Sequence, residues 1–241
     1  MSSNQWNKRL AVLGYHKVGE PYPGGWETWY YVKESDFADQ LNYLNENGWE
    51  VIDLDTLLQG MIEPEILPEK CALITFDDGH KSVLDFALPI LKTFKYPAVL
   101  FIPTNFIGKT NSFDNLAEPE EAICDWDDLR ELALNGVAIQ SHGASHLSMS
   151  ELTLEQQEIE LQRSKETLED KLQKPVDTFA FPYGDNGTEP AAMEDALKRA
   201  GYKAAFLYGG GIMNCPIHAS FQIERLAIGS DTNLKEMMEN R

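Results

Sequence analysis

The stretch "CALITFDDGH" (residues 71–80) runs a mostly apolar, partly β-branched segment straight into two adjacent carboxylates, a glycine and a histidine. "CALITF" reads as a strand covered on both faces, because its apolar run is continuous rather than alternating. Successive side chains of a strand point to opposite faces, so Asp77 and Asp78 cannot both enter one site while the strand continues. Two like charges at a buried strand end also raise each other's cost unless a cation or a shared proton compensates. Asp-Asp-Gly is equally good turn chemistry, so the triplet alone leaves turn and site open.

Working outward, similar apolar runs recur at "LAVLGYH" (10–16), "WEVIDL" (49–54), "PAVLFI" (97–102), "VAIQSH" (137–142), "DTFAFPY" (177–183), "AAFLY" (204–208) and "ERLAI" (224–228). Helical patterns separate them. "SDFADQLNYLNENG" offers Ser35 as N-cap, Phe37, Leu41 and Leu44 on one face, and Gly48 past its end. "TLEQQEIELQRSKETLEDKL" opens with a Thr153–Gln156 capping box and carries Leu161, Leu168 and Leu172 as a stripe. "PAAMEDALKRAG" has Pro190 in its first turn and Gly201 at its stop. This alternation implies a parallel α/β fold, and about seven units in 241 residues suit a closed barrel better than an open sheet. No linker or repeat interrupts it, so residues 1–241 are expected to form one domain. The aperiodic stretch 103–124 reads as an acidic surface loop.

The bulk composition excludes several functions. With 20 basic against 39 acidic residues and a formal charge of −19, the chain is a poor partner for nucleic acid or anionic membranes. No apolar run approaches the roughly 20 residues that span a bilayer. The N-terminal "MSSNQWNKRLAVLGYHKV" lacks the charged-then-apolar pattern of a secretion signal, so a cytoplasmic protein is expected if this is the natural start, and an exported one if a leader was removed. Three distant cysteines, Cys71, Cys124 and Cys215, suggest neither a disulfide framework nor a metal knuckle.

In a barrel, reacting groups collect at the C-terminal strand ends. Asp77 and Asp78 sit at one such end; His142 closes another, with His146 four residues on in "SHGASH". Two histidines at this spacing face the same way if the segment turns helically. Two imidazoles and one carboxylate leave a metal with an open position for water, the arrangement of catalytic zinc. One aspartate of the pair can then ligate while the other stays beside the water as a base, which accounts for their adjacency.

"TFDDG" (75–79), "SHGASH" (141–146) and "FAFPYG" (179–184), in that order, resemble the polysaccharide deacetylase family, the NodB-homology domain of carbohydrate esterase family 4 type. "YHKVG" and "DFADQLNYLNENGWEVIDLDTL" extend the resemblance over residues 10 to about 230. It implies a distorted (β/α) barrel of about seven strands and metal-dependent removal of acetyl groups from N-acetylated sugars or polysaccharide. It also implies a divalent ion, usually zinc, held by Asp78, His142 and His146, with Asp77 as base. Pro182 would shape a groove wall, and the Tyr183 backbone N–H would face the oxyanion. Acetylated glycan or a small acetylated sugar is the implied partner.

The chain departs from that pattern twice. An arginine is usual two residues before the Pro182 position, where this chain has Ala180; Arg225 is available to take over its task of holding the catalytic aspartate. The late Leu-x-His that supplies a general acid is absent, which leaves His16, His218 or Asp77 itself for that step. His80 is expected only to cap the next helix. Trp126 reads either as a groove residue or as helix packing, and the aromatic "GGWETWYYV" (Trp26, Trp29, Tyr30, Tyr31) as a sugar-binding face or a patch under a loop. Two rival readings remain: an amidase or imidase on a non-sugar substrate, and a glycan-binding module that has lost turnover.

Overall fold

The computed structural model describes residues 8–114 and 117–239; the first seven residues, read above for a targeting signal, lie outside it. Its elements are β1 (Arg9–Tyr15), β2 (Lys17–Val18), β3 (Tyr31–Val32), α1 (Glu34–Glu46), β4 (Glu50–Val51), α2 (Leu54–Ile62), β5 (Lys70–Phe76), α3 (Leu88–Phe94), β6 (Ala98–Ile102), α4 (Trp126–Leu134), β7 (Val137–Ser141), α5 (Leu154–Leu172), β8 (Thr178–Ala180), α6 (Pro190–Ala200), β9 (Ala204–Phe206), β10 (Met213–Asn214), β11 (Leu226–Ala227) and α7 (Leu234–Glu239). No described helix is long and apolar enough to cross a membrane.

Strands β1, β5, β6, β7, β8 and β9 pair in that order, all in parallel. The ends of this curled sheet are brought together by the 223–227 segment, where Ile223 bridges Phe206 and β11 pairs with β1 at Leu13↔Leu226. The distorted barrel expected from the sequence is therefore the fold. Alternation along each strand divides two cores. Leu10, Val12, Leu73, Val99, Phe101 and Phe206 fill the interior. Ala11, Leu13, Ile74 and Leu100 face outward against helix residues such as Phe37, Leu41, Leu161 and Leu168.

The helices follow their sequence signals with one exception. Thr153 and Gln156 make the reciprocal capping box of α5, whose buried stripe is Gln157, Leu161, Ser164 and Leu168. Pro190 starts α6, and Gly201 ends it in the left-handed region. The exception is α1, whose N-cap is Lys33; Ser35 lies inside the first turn and its hydroxyl turns to Asp36 instead. Several strands are also shorter than their apolar runs. "WEVIDL" yields only β4, because Asp53 caps α2 through Thr56 N–H, and "DTFAFPY" stops at Ala180 because Pro182 opens a tight turn.

Candidate active site

The strand ends place the chemistry. The Asp77 N–H donates to the Tyr15 carbonyl at 2.9 Å, which extends the β1–β5 ladder by one residue. The chain then turns through Asp78 (φ 69°) and Gly79 (φ 77°), both left-handed. A Cβ on Gly79 would lie 2.4 Å from Ile102 Cδ1, so glycine is required there. The left-handed Asp78 breaks strand alternation, and both carboxylates line one cleft of about 180 Å³.

His142 follows β7 directly, its N–H bonded to the Ile102 carbonyl at 3.2 Å. Residues 142–146 are not helical; Gly143 (φ 79°) and His146 (φ 57°) bend the chain so that the two rings meet at 5.0 Å. The bend is clamped from α5, where Glu160 accepts from the Ala144 and Ser145 N–H groups at 2.7 and 2.8 Å and from the Ser145 hydroxyl at 2.7 Å.

Among the described residues, Asp78, His142 and His146 form the one group of ligand-type side chains whose donor atoms all lie within 4.8 Å of one another, and all three are buried. Asp78 Oδ1 lies 3.4 Å from His142 Nε2 and 3.0 Å from His146 Nε2, yet makes no hydrogen bond. His142 Nδ1 sits 2.8 Å from the Ala180 carbonyl, which fixes the proton on that nitrogen and turns the Nε2 lone pair inward. An orphaned buried carboxylate oxygen facing imidazole nitrogens is a donor set that fits a divalent cation. Burial raises the Asp78 pKa, but the His146 and His142 rings outweigh it and hold the carboxyl well below its ordinary value.

Asp77 has a different partner. Arg225, fully buried, reaches up from beside β11 and brackets it, Nη1 to Oδ1 and Nη2 to Oδ2 at 2.7 Å each. Its Nε donates to the Leu207 carbonyl at 2.6 Å, and the guanidinium lies over Phe101 and Tyr208. Burial raises the Asp77 pKa, but Arg225, with the His142 and His16 rings, outweighs it, and the net pKa is lowered. Ala180 thus leaves Asp77 without a charged partner from β8, and the guanidinium that holds it comes from the residue before β11.

The remaining expectations divide. His16 lines the cleft, its Nε2 3.9 Å from Asp78 Oδ2 and its ring against Tyr30 and Tyr208. His218 is exposed on the loop after β10 and does not line the cleft. Tyr183, left-handed at φ 60° and 64% exposed, stands on the rim with its ring 4.9 Å from His146. Trp126 packs against the outer core, away from the cleft. Tyr30 lines the cleft, Tyr31 is buried against Glu121, Trp29 bonds Asp231 at 2.5 Å, and Trp26 is 48% exposed.

The described residues of stretch 103–124 are not a mere surface loop. They pack onto the cleft, contributing Asp114 and Glu118 to its wall, with Glu118 held by Lys17 at 2.8 Å and Thr28 at 2.6 Å. Nor does His80 cap a helix; it is buried in the cleft wall. Sequence reading missed Lys17, Glu118 and Glu160, which carry no local signal because each acts on residues far along the chain.

A parallel barrel thus brings a buried Asp-His-His set, fit for a divalent cation, and a second, arginine-held carboxylate together at its strand ends. The family model described as polysaccharide deacetylase matches residues 65–205, and the chain belongs to that family. It is 26% identical over 195 residues to the Bacillus subtilis protein YxkH, covering 81% of this chain and 63% of the relative. It is 27% identical over 241 residues to the poly-beta-1,6-N-acetyl-D-glucosamine N-deacetylase of Escherichia coli K12, covering 86% of this chain but 35% of that protein. The chain therefore spans less than two thirds of either relative's length. Its fold matches the Streptococcus pyogenes deacetylase PplD, solved with acetate, at a TM-score of 0.80 and 21% identity over 96% of this chain and 98% of that one.

Proposed function

We propose that this chain is a metal-dependent N-deacetylase of acetylated glycans. The observation that carries the reading is the division of labour within "DDG": Asp78 faces His142 and His146, while Asp77, one residue away, is held by Arg225 in the same cleft.

Asp78, His142 and His146 would hold a divalent ion, zinc in our reading of this donor set, which when bound would supply Lewis-acid chemistry for an acetyl carbonyl and for water. Asp77, kept ionised by Arg225, takes the proton from the attacking water. The Tyr183 N–H donates to the oxygen that becomes negative as the carbonyl carbon turns tetrahedral. The proton that Asp77 takes reaches the leaving nitrogen through His16. Burial lowers the His16 pKa to about 4 in the resting site, against the pull of Asp78 and Asp77, so the ring rests neutral and passes on a proton received from Asp77.

The name of the Escherichia coli relative makes a β-1,6-linked N-acetylglucosamine polymer the first substrate to try. The Arg225–Asp77 pair speaks against a binding module, which has no need of a held, ionised base. The test is acetate release from N-acetylglucosamine oligomers and polymers, with cyclic imides alongside, before and after chelation and metal restoration. Chelator-sensitive acetate release from the sugars supports the reading; turnover of imides alone, or none with metal restored, rejects it.

A further inference from the structure

The two oxygens of Asp78 keep different company. Oδ1 faces the two ligand histidines; Oδ2 faces His80 Nε2 at 3.6 Å. His80 is 1% exposed, and its other nitrogen, Nδ1, lies 3.8 Å from Glu121 Oε2. Both distances are too long for direct hydrogen bonds, and Nδ1 and Glu121 Oε2 are buried without one. Glu121, 5% exposed, is itself fixed: its Oε1 accepts from Tyr31 Oη, its N–H donates to Asn111 Oδ1 at 2.7 Å, and Lys17 Nζ stands 3.7 Å from Oε2. Main-chain bonds from Cys124 to Gly79 and from Lys81 to Ala122, both 2.9 Å, lay the end of the 103–124 stretch directly along the turn that carries Asp78.

A buried imidazole between two carboxylates is costly unless its dipole is used. His80 is not in the Asp-His-His group. We propose that His80 is a positioning residue for the metal ligand: its Nε2 edge attracts Asp78 Oδ2 as a charge–dipole contact at 3.6 Å, which biases the carboxylate toward turning Oδ1 to the metal, and Glu121 orients the ring by its charge from the opposite side. This rests on the metal-site reading above. The terminal torsion of an aspartate is soft, so a carboxylate fixed at one oxygen loses less freedom on binding an ion. The 103–124 stretch thereby contributes to metal affinity without supplying a ligand.

The test measures zinc affinity by competition with a chromophoric chelator, and the cobalt(II) absorption spectrum, on the whole chain. His80→Phe fills the space without a donor and is expected to weaken zinc about 10–100-fold and alter the cobalt spectrum. His80→Gln restores a donor amide and is expected to stay within about threefold of the parent. Glu121→Gln keeps a partner for Tyr31 but removes the charge, and is expected to lose about 3–10-fold. Equal zinc affinity in parent and His80→Phe, with unchanged melting of the metal-free proteins, overturns the inference. If His80→Phe does not fold, parent-like affinity and spectrum in Glu121→Gln overturn it instead. A parent that binds no zinc rejects the metal-site reading itself, a separate outcome.

Discussion

Arg225 and Asp77 stand 148 positions apart in the chain and meet inside the barrel as a bidentate pair, each guanidinium nitrogen 2.7 Å from one carboxylate oxygen. Both are buried, so the pair is held in a setting where removing one partner leaves an uncompensated charge.

Arg225→Ala is therefore expected to destabilise the protein by about 3–5 kcal/mol, read from urea unfolding. Asp77 then loses the partner that lowers its pKa while its burial remains, so its pKa rises. Any residual deacetylation should show its acid limb displaced to higher pH. An unmoved limb in a folded variant shows that Arg225 does not set the ionisation of Asp77.

The two aspartates should separate cleanly. Asp77→Asn is expected to keep its metal and lose about 10²–10⁴-fold in turnover. Asp78→Asn and His142→Ala should lose both metal and turnover. Metal analysis beside the acetate assay checks this; loss of metal from Asp77→Asn with retention in Asp78→Asn reverses the roles.

His16→Ala should lower the rate about 10²-fold or more and flatten one limb of the pH–rate profile. His218→Ala, at an exposed residue outside the cleft, should leave rate and profile alone. If both variants keep the parent profile, Asp77 returns the proton it took.

Glu160→Ala removes the clamp on the backbone of residues 144 and 145. Zinc affinity is expected to fall about 10–100-fold, because His146 must hold a left-handed backbone without support. Parent-like affinity by chelator competition would show that the bend is held by other contacts.

Asp185 ties the turn after β8 to the segment that follows His146. Its carboxylate accepts from Ser148 Oγ, from Ser150 N–H and Oγ at 2.8 and 2.6 Å, and from Gly187 N–H at 3.0 Å. Partial burial raises its pKa, these bonds outweigh it, and the carboxyl is held at about 2. A folded pKa below the unfolded one gives stability that is present above about pH 4 and lost as pH falls towards 2. Asp185→Asn should lower Tm by about 2–4 °C at neutral pH and shrink the parent–variant difference below pH 4. A difference that persists unchanged at pH 2–3 counts against a charged Asp185 as its source.

The fold class and much of the site are legible in local sequence signals. Continuous apolar runs such as "CALITF" and "PAVLFI" specify strands covered on both faces, and caps such as Thr153–Gln156 and Gly201 mark the helices between them. These signals are local, so they survive reading in one dimension. Asp77, Asp78, His142 and His146 were legible for the same reason, since each ends or follows a recognisable strand. Tertiary structure alone decided what those residues touch. Arg225 reaches Asp77 only because the 223–227 segment fills the gap between β9 and β1. Glu160 reaches the His146 bend only because α5 packs beside β7, and His80 faces Glu121 only because two distant turns run side by side. Pairings of this kind depend on closing long loops, and the free energy that closes them comes from the whole core, not from the residues that meet.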